Sequence, residues 1–233
     1  MAVIGKLLTI LLLTYCALAT PRMRVYMPYG DVDTTLFGSF DDRAQEVDRA
    51  KRIFRNLTGV KLRIKKVRYC NTFENNFAYF HLCSSWSATP SQCIRAIYDR
   101  INNNGYSRRD GVAHYLVANP MYHNGTYWFM GAAQVQCYRD IKLFRNFGII
   151  AGIGYGHFLK TQINGQTRIP QSVAIMIHEW GHLILGLTHD EPEDNFIMNS
   201  LFNVKGFSSQ SAPEMWRFSE KSKNEIRRCK NGK

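Results

Sequence analysis

Apolar residues recur along this chain with two periods, and these divide it into helices and strands. Ala44, Val47, Ala50, Ile53 and Phe54 fall three and four apart, which lines one face of a helix. Ser39–Asp42 precede them with side-chain oxygens able to cap the free N–H groups of a first turn. Pro90–Asn102 predicts a second helix, closed by Asn104-Gly105, and Ser172–Leu185 the clearest one. Ser219–Arg228 predicts a terminal helix, for which Ser222 and Glu225 at capping-box spacing offer one possible start. Arg22–Met27 and Val112–Ala118 read as strands, and Val60–Val67 is a β-branched run with alternating lysines, suited to a half-buried strand. Thr126–Val135 predicts another strand, weakened at Gly131, and Ile149–Phe158 a strand or a glycine-loosened loop. Residues 71–89 are aromatic and irregular and predict no element. The order of strand, helix, strand, helix, several strands and one long helix implies an α/β layer with a mixed sheet.

A different pattern opens the chain. Lys6, the apolar run Leu7–Leu13 and the small residues Ala17 and Ala19 have the layout of a secretory signal peptide cleaved after Ala19. A membrane anchor is the competing reading, but the run is short for a span. No later stretch is long and apolar enough to cross a bilayer, so residues 20–233 are expected as a single secreted, extracellular domain. Hydrophobic residues make up 45% of the chain, enough for an ordinary packed core and too many for a disordered one.

Charge and cysteines refine this. The formal charge is +12, with basic clusters at Lys61–Arg68 and Arg227–Lys233. Such a surface favours polyanions such as glycosaminoglycans, or is simply a solvated basic face. There is no RNA-binding signature or finger-type zinc spacing, so nucleic acid is not expected as a partner. Beyond Cys16 in the leader stand Cys70, Cys83, Cys93, Cys137 and Cys229, an odd set that implies two bridges and one leftover thiol. Asn56-Leu57-Thr58 and Asn124-Gly125-Thr126 are weak N-glycosylation signals that suit secretion.

The chemistry concentrates in Ile175–Met198, IMIHEWGHLILGLTHDEPEDNFIM. His178 and His182, four apart on a helix, present both imidazoles on one face, one turn apart, within reach of one ion. Glu179 sits beside the first ligand, where its carboxylate reaches a water on that ion and takes its proton as general base. Gly186 is able to end the helix in a left-handed turn, which brings His189 back towards the ion as a third ligand. The rest of the helix is apolar, so the histidines and the carboxylate are buried and need partners. The expected cofactor is Zn2+. His81, His114, His123 and His157 read as structural or surface residues, and Tyr127 and Trp128 as strand packing.

These residues resemble the signature of the metzincin clan of zinc endopeptidases, H-E-x-x-H-x-x-G-x-x-H with a methionine turn after it. His178, Glu179, His182, Gly186 and His189 match its residue types, and Phe196-Ile197-Met198-Asn199 resembles the turn, with Met198 beneath the metal. Asp190 after the last histidine resembles the reprolysin (adamalysin-like) branch, with tick salivary metalloproteases a plausible group. The short distance from His189 to Met198 is closer to the matrixins. The resemblance implies an α/β (α+β) catalytic domain with a mixed, mostly parallel twisted sheet, an active-site helix and a small C-terminal subdomain, divided at about residues 20–186 and 187–233. It implies a substrate-pairing edge strand at Gly131, Ala132 and Ala133, with Ser200–Asn203 lining a pocket beyond the scissile bond. It also implies a Cys137–Cys229 bridge. The expected function is hydrolysis of protein or peptide substrates by a monomeric secreted endopeptidase.

One departure bears on the site. Three residues, Leu183-Ile184-Leu185, stand between His182 and Gly186 where the clan has two. An extra helical residue rotates the chain beyond it by about 100°, so either the helix end absorbs it in a bulge or His189 is displaced. The first predicted strand begins almost at once after the leader, which leaves no room for a cysteine-switch segment, and no accessory domain is expected after the last helix. A catalytically weak or inactive secreted binding protein on the same scaffold is the alternative reading. Asp190 is expected either to brace the metal site or to be exposed.

Overall fold

The computed structural model of the chain describes residues 20–29, 40–70, 112–118, 121–123, 127–129, 131–140, 150–155, 162–163, 166–167, 171–190, 196–199 and 217–232. The leader, the helix expected at Pro90–Asn102, Cys83, Cys93, His81, His157 and Ser200–Asn203 lie outside these residues.

Strand β1 (Arg22–Tyr29) is followed by helix α1 (Phe40–Thr58), β2 (Arg63–Cys70) and β3 (Val112–Ala118). Short strands β4 (Met121–His123), β5 (Tyr127–Phe129) and β6 (Gly131–Ala133) precede β7 (Ile150–Tyr155), the small hairpin β8 (Gln162–Ile163) and β9 (Gln166–Thr167), and the helices α2 (Gln171–Leu185) and α3 (Glu220–Asn231). Five strands form one sheet in the order β2-β1-β3-β7-β6. Its first three pairings are parallel, and β6 runs antiparallel to β7 at the edge. This is the mixed sheet expected from the order of elements, and it is mostly parallel, as the resemblance implies.

Period-two alternation puts Met23, Val25 and Met27 of β1, and Ala113, Tyr115 and Val117 of β3, into one buried core. Val47, Ala50 and Phe54 of α1 and Val173, Met176, Ile177, Trp180, Leu183 and Ile184 of α2 complete it. Trp180 is fully buried, with edge-on ring contacts to Phe54 and Tyr115, both at 6.0 Å. That indole fixes α2 against both the sheet and α1. Helix α1 carries Asp41 and Asp42 in its first turn and Arg55 in its last, matched to the helix dipole, and Gly59 at φ 70° ends it.

Three expectations are corrected. Of the run expected at Thr126–Val135, the described residues form two short strands: β5 pairs with β4 in a separate ribbon, β6 joins the main sheet, and Gln134 and Val135 follow as non-strand chain. β5 ends at Phe129, and Gly131 is the first residue of β6. Residues 60–62 precede β2 as non-strand chain. The terminal helix starts earlier than the Ser222–Glu225 pair suggests, because Ser219 is the N-cap and its Oγ accepts the Ser222 N–H at 3.0 Å. His114 is buried and hydrogen-bonded through Nδ1 to Tyr26 Oη at 2.8 Å, a structural histidine as expected. No helix among the described residues is long and apolar enough to cross a membrane.

Glu46 of α1 is 4% exposed, and its carboxylate is pushed up to about 7. Burial is the main cause; Ser172 and Arg43 pull it down in part, Asp42 adds to the rise and Arg49 opposes it. A carboxyl that holds its proton more tightly when folded weakens the fold as pH rises from about 4.5 through about 7, where the folded group is half ionised. Glu46→Gln should therefore stabilise the protein at pH 8, by on the order of 3 kcal/mol at most, and little at pH 4. Urea unfolding at the two pH values measures this; an equal effect at both would refute it.

Candidate metal centre

Helix α2 is buried along Ser172–Leu185 and mostly apolar, as a helix inside a core must be. His178 and His182 lie opposite Trp180 on it, so one face anchors in the core while the other carries imidazoles. Both rings are aimed by backbone carbonyls. His178 Nδ1 donates to Ile197 O at 2.5 Å and His182 Nδ1 to Leu187 O at 2.6 Å, with the ring tautomers assigned from those partners. This leaves each Nε2 pointing the same way. Their Nε2 atoms lie 3.2 Å apart, and His189 Nε2 lies 3.3 Å from that of His178 and 3.1 Å from that of His182.

Ring nitrogens at 2.0–2.1 Å from one tetrahedral ion lie about 3.3 Å from each other, so the spacing fits a zinc ion bound by three imidazoles. Acceptor nitrogens this close repel one another without a cation or a shared proton between them. Burial lowers His178 to about 3 and His182 to about 4, and it also lowers His189. His182 and His189 push His178 down further, while its bond to Ile197 O opposes them. Neutral rings are the form a metal requires.

The end of α2 answers the question of the extra residue. Leu183, Ile184 and Leu185 all remain helical and buried. Gly186 then takes φ 66°, and its N–H donates to His182 O at 3.1 Å. Leu187 N–H reaches Gly181 O at 3.1 Å, six residues back and one deeper than the usual closure of a left-handed helix cap. The chain thereby folds back far enough to return His189 to the site. A side chain at Gly186 would also meet the backbone of Cys137 at 3.1 Å.

Met198 is fully buried under the site, and a Cβ on Gly181 would fall 2.8 Å from its Sδ. Asp190 is buried rather than exposed: its N–H donates to Met198 O at 2.8 Å, and its carboxylate accepts from Ser219 and Ser222 at 2.6 and 3.2 Å. It braces the segment after the last histidine.

Glu179 is 4% exposed, and burial holds its carboxyl well above the usual range. Its Oε2 has no hydrogen-bond partner among the described residues. A Cβ on Gly131 would lie 2.3 Å from Glu179 Oε1, so only glycine lets the edge strand pass over this carboxylate. Gly131 thus has a spatial role that its place in an edge strand does not reveal. Ala132 and Ala133 come next along β6, half-buried. Beyond them, Gln136 and Tyr138 donate their N–H groups to His182 O and Ile184 O, at 2.9 and 2.8 Å, and so satisfy carbonyls at the helix end. Cys137 between them is joined to Cys229 of α3 by a disulfide.

Sequence reasoning missed α3 as part of this centre. Thr188 N and Oγ1 donate to Glu225 at 2.9 and 2.7 Å, and Lys221 Nζ donates to His189 O at 2.5 Å. On an amphipathic terminal helix, alternating lysines and glutamates read as a solvated face, and no spacing rule links them to a segment over thirty residues earlier.

No protein-family model and no curated protein matches the chain. Its fold is similar to that of metalloproteinase-II from Bacteroides fragilis, with a TM-score of 0.51 and 12% identity over 91% of this chain and 53% of that one. The chain therefore spans about half the length of that structure. A zinc-dependent peptidase from Methanocorpusculum labreanum is also similar, with a TM-score of 0.44 and 13% identity over 88% of this chain and 99% of that one. At such identities the likeness to metalloproteinase-II speaks for the fold alone, a mixed α/β architecture shared with that structure. The three converging imidazoles are this chain's own, and their spacing fits a zinc ion.

The purified chain should bind one zinc ion, and His182→Ala should weaken that binding at least about 100-fold. Competition with a chromophoric chelator reads it. Equal affinities in the two proteins would remove His182 from the ligand set.

Proposed function

We propose that the chain is a secreted zinc-dependent endopeptidase in which His178, His182 and His189 hold the ion and Glu179 is the general base. The observation that carries this is the juxtaposition of the three Nε2 atoms with a buried carboxylate beneath a sheet edge. A purely metal-storing or structural site has no use for that carboxylate, and closed structural zinc sites have four protein ligands.

Zinc, when bound, polarises a substrate carbonyl and makes a water molecule acidic near neutral pH. The chain's own residues do the rest. Substrate lies extended along β6, whose outer backbone edge at Gly131–Ala133 pairs with it as an added strand. Glu179 takes the proton from the attacking water and passes it to the leaving amine. Its burial keeps bulk water away from that transfer, and Gly131 lets the substrate's backbone approach the carboxylate closely. Met198 packs the floor of the site against Gly181. The Asp190 contacts and the Cys137–Cys229 bridge support the reprolysin-like branch within the metzincin clan.

Glu179→Ala should keep zinc and lose peptide cleavage by a factor of at least about 100. Cleavage of a broad peptide library by both proteins, with zinc content measured alongside, is the test. Equal background-level cleavage would leave a non-catalytic binding protein as the better account. Gly131→Ala should also keep zinc but push the carboxylate aside, lowering kcat about 100-fold; an unchanged kcat would show that the edge strand yields instead.

A further inference from the structure

We propose that Glu225 is a positioning residue for the third metal ligand, clamping the Thr188–Asp190 segment to α3 so that His189 reaches the ion. The inference rests on the reading of the three histidines as a zinc site.

The three histidines are not held alike. The rings of His178 and His182 are aimed through Nδ1 by the carbonyls of Ile197 and Leu187. His189 Nδ1 has no such partner among the described residues, and its side chain is the exposed member of the three. A ring without its own orienting bond can be placed only by the backbone that carries it. Between the Leu187 N–H bond to Gly181 O and the Asp190 N–H bond to Met198 O, that backbone runs exposed at Thr188 and His189.

Helix α3 supplies what the ring lacks. Lys221 and Glu225 are four apart, hence on one face. Glu225 accepts from both the N–H and the hydroxyl of Thr188, one residue before the ligand, in a two-point grip. Lys221 holds the carbonyl of His189 itself. Asp190 is tied by Ser219 and Ser222 at the start of the same helix. Three consecutive residues centred on the ligand are therefore bound to one rigid element, and the disulfide at Cys229 fastens that element to the segment beside the end of α2.

Of these contacts, the Glu225 grip is the one that meets the need created by the extra residue in α2. A carboxylate accepting a backbone N–H and a hydroxyl together fixes both the position and the rotation of Thr188, and charge-assisted bonds of this kind are the stronger ones. The segment that has to travel furthest back is the one it grips.

The experiment measures the zinc dissociation constant by chelator competition in four full-length proteins: wild type, Glu225→Ala, His189→Ala and the double variant. Glu225→Ala should weaken zinc binding about tenfold, the lower end of what loss of a ligand-orienting partner costs. In the His189→Ala background the same change should have no further effect, since the ring it positions is gone. Glu225→Gln, which keeps an acceptor for Thr188, should restore most of the affinity. An equal loss in both backgrounds, or a change under twofold in the single variant, would overturn the clamp while leaving the zinc site intact. Wild type without zinc affinity would overturn the site reading and the clamp together. Should Glu225→Ala fail to fold, Thr188→Val removes one arm of the grip at an exposed position and should weaken binding severalfold; an unchanged constant there would count against the proposal.

Discussion

How helix α2 ends governs everything built on it. His178 and His182 share a face by helical period alone, but His189 lies beyond the last helical residue and meets them only if the chain reverses at once. The reversal depends on Gly186 in the left-handed region and on Leu187 N–H reaching Gly181 O. A residue with a Cβ at position 186 would be strained in that conformation and would strike the Cys137 backbone as well. The additional residue in Leu183-Ile184-Leu185 therefore lengthens the buried apolar run without displacing the ligand. The turn is taken one residue deeper along the helix, and the ring nitrogens still converge.

Close approach of backbone to side chain recurs throughout the centre, each time at a glycine. Gly181 makes room for Met198, and Gly131 makes room for Glu179. The chain leaving Gly131 then runs beside α2 and gives its N–H groups to His182 O and Ile184 O. One continuous segment thus lies over Glu179 at one end and seals the end of α2 at the other. The edge strand β6 and the histidine cluster cannot shift independently, because β6 and the end of α2 are joined by these bonds and by the bridge from Cys137 to α3.

Much of this was legible in the residues. Strong periodicity carried the sheet strands, α1, α2 and the order of elements, because each has one face or more in the core. The metal residues were legible because a helix converts a spacing of four into proximity. Three features resisted. The close approach at Gly131 was hidden because a glycine in an apolar run signals a weak strand and does not say that a carboxylate will occupy the missing Cβ's place. The fate of the extra helical residue depended on a backbone bond between Leu187 and Gly181, which no side-chain pattern encodes. The part played by α3 was invisible because Lys221 and Glu225 have the composition of a solvent face, and their partners are distant in sequence and mostly backbone atoms.

The site is also a burden on the fold, and the disposition of α3 answers it. A buried polar group left unpaired costs about 1–3 kcal/mol, and Glu179 Oε2 is one such group, beside three neutral imidazoles packed nitrogen to nitrogen. A segment holding them would relax outward if it were free to do so. The bridge between Cys137 and Cys229 closes a loop of 92 residues, a constraint of about 4–5 kcal/mol on the unfolded chain. Gly232 and Ser219 cap α3 at its two ends. The tether and the caps are of the same order as the penalty, and they act on the helix that grips the third ligand. Stability is thus concentrated where the chain has most to gain by moving. That explains how an exposed segment, outside any regular element, can hold a histidine within 3.3 Å of two others.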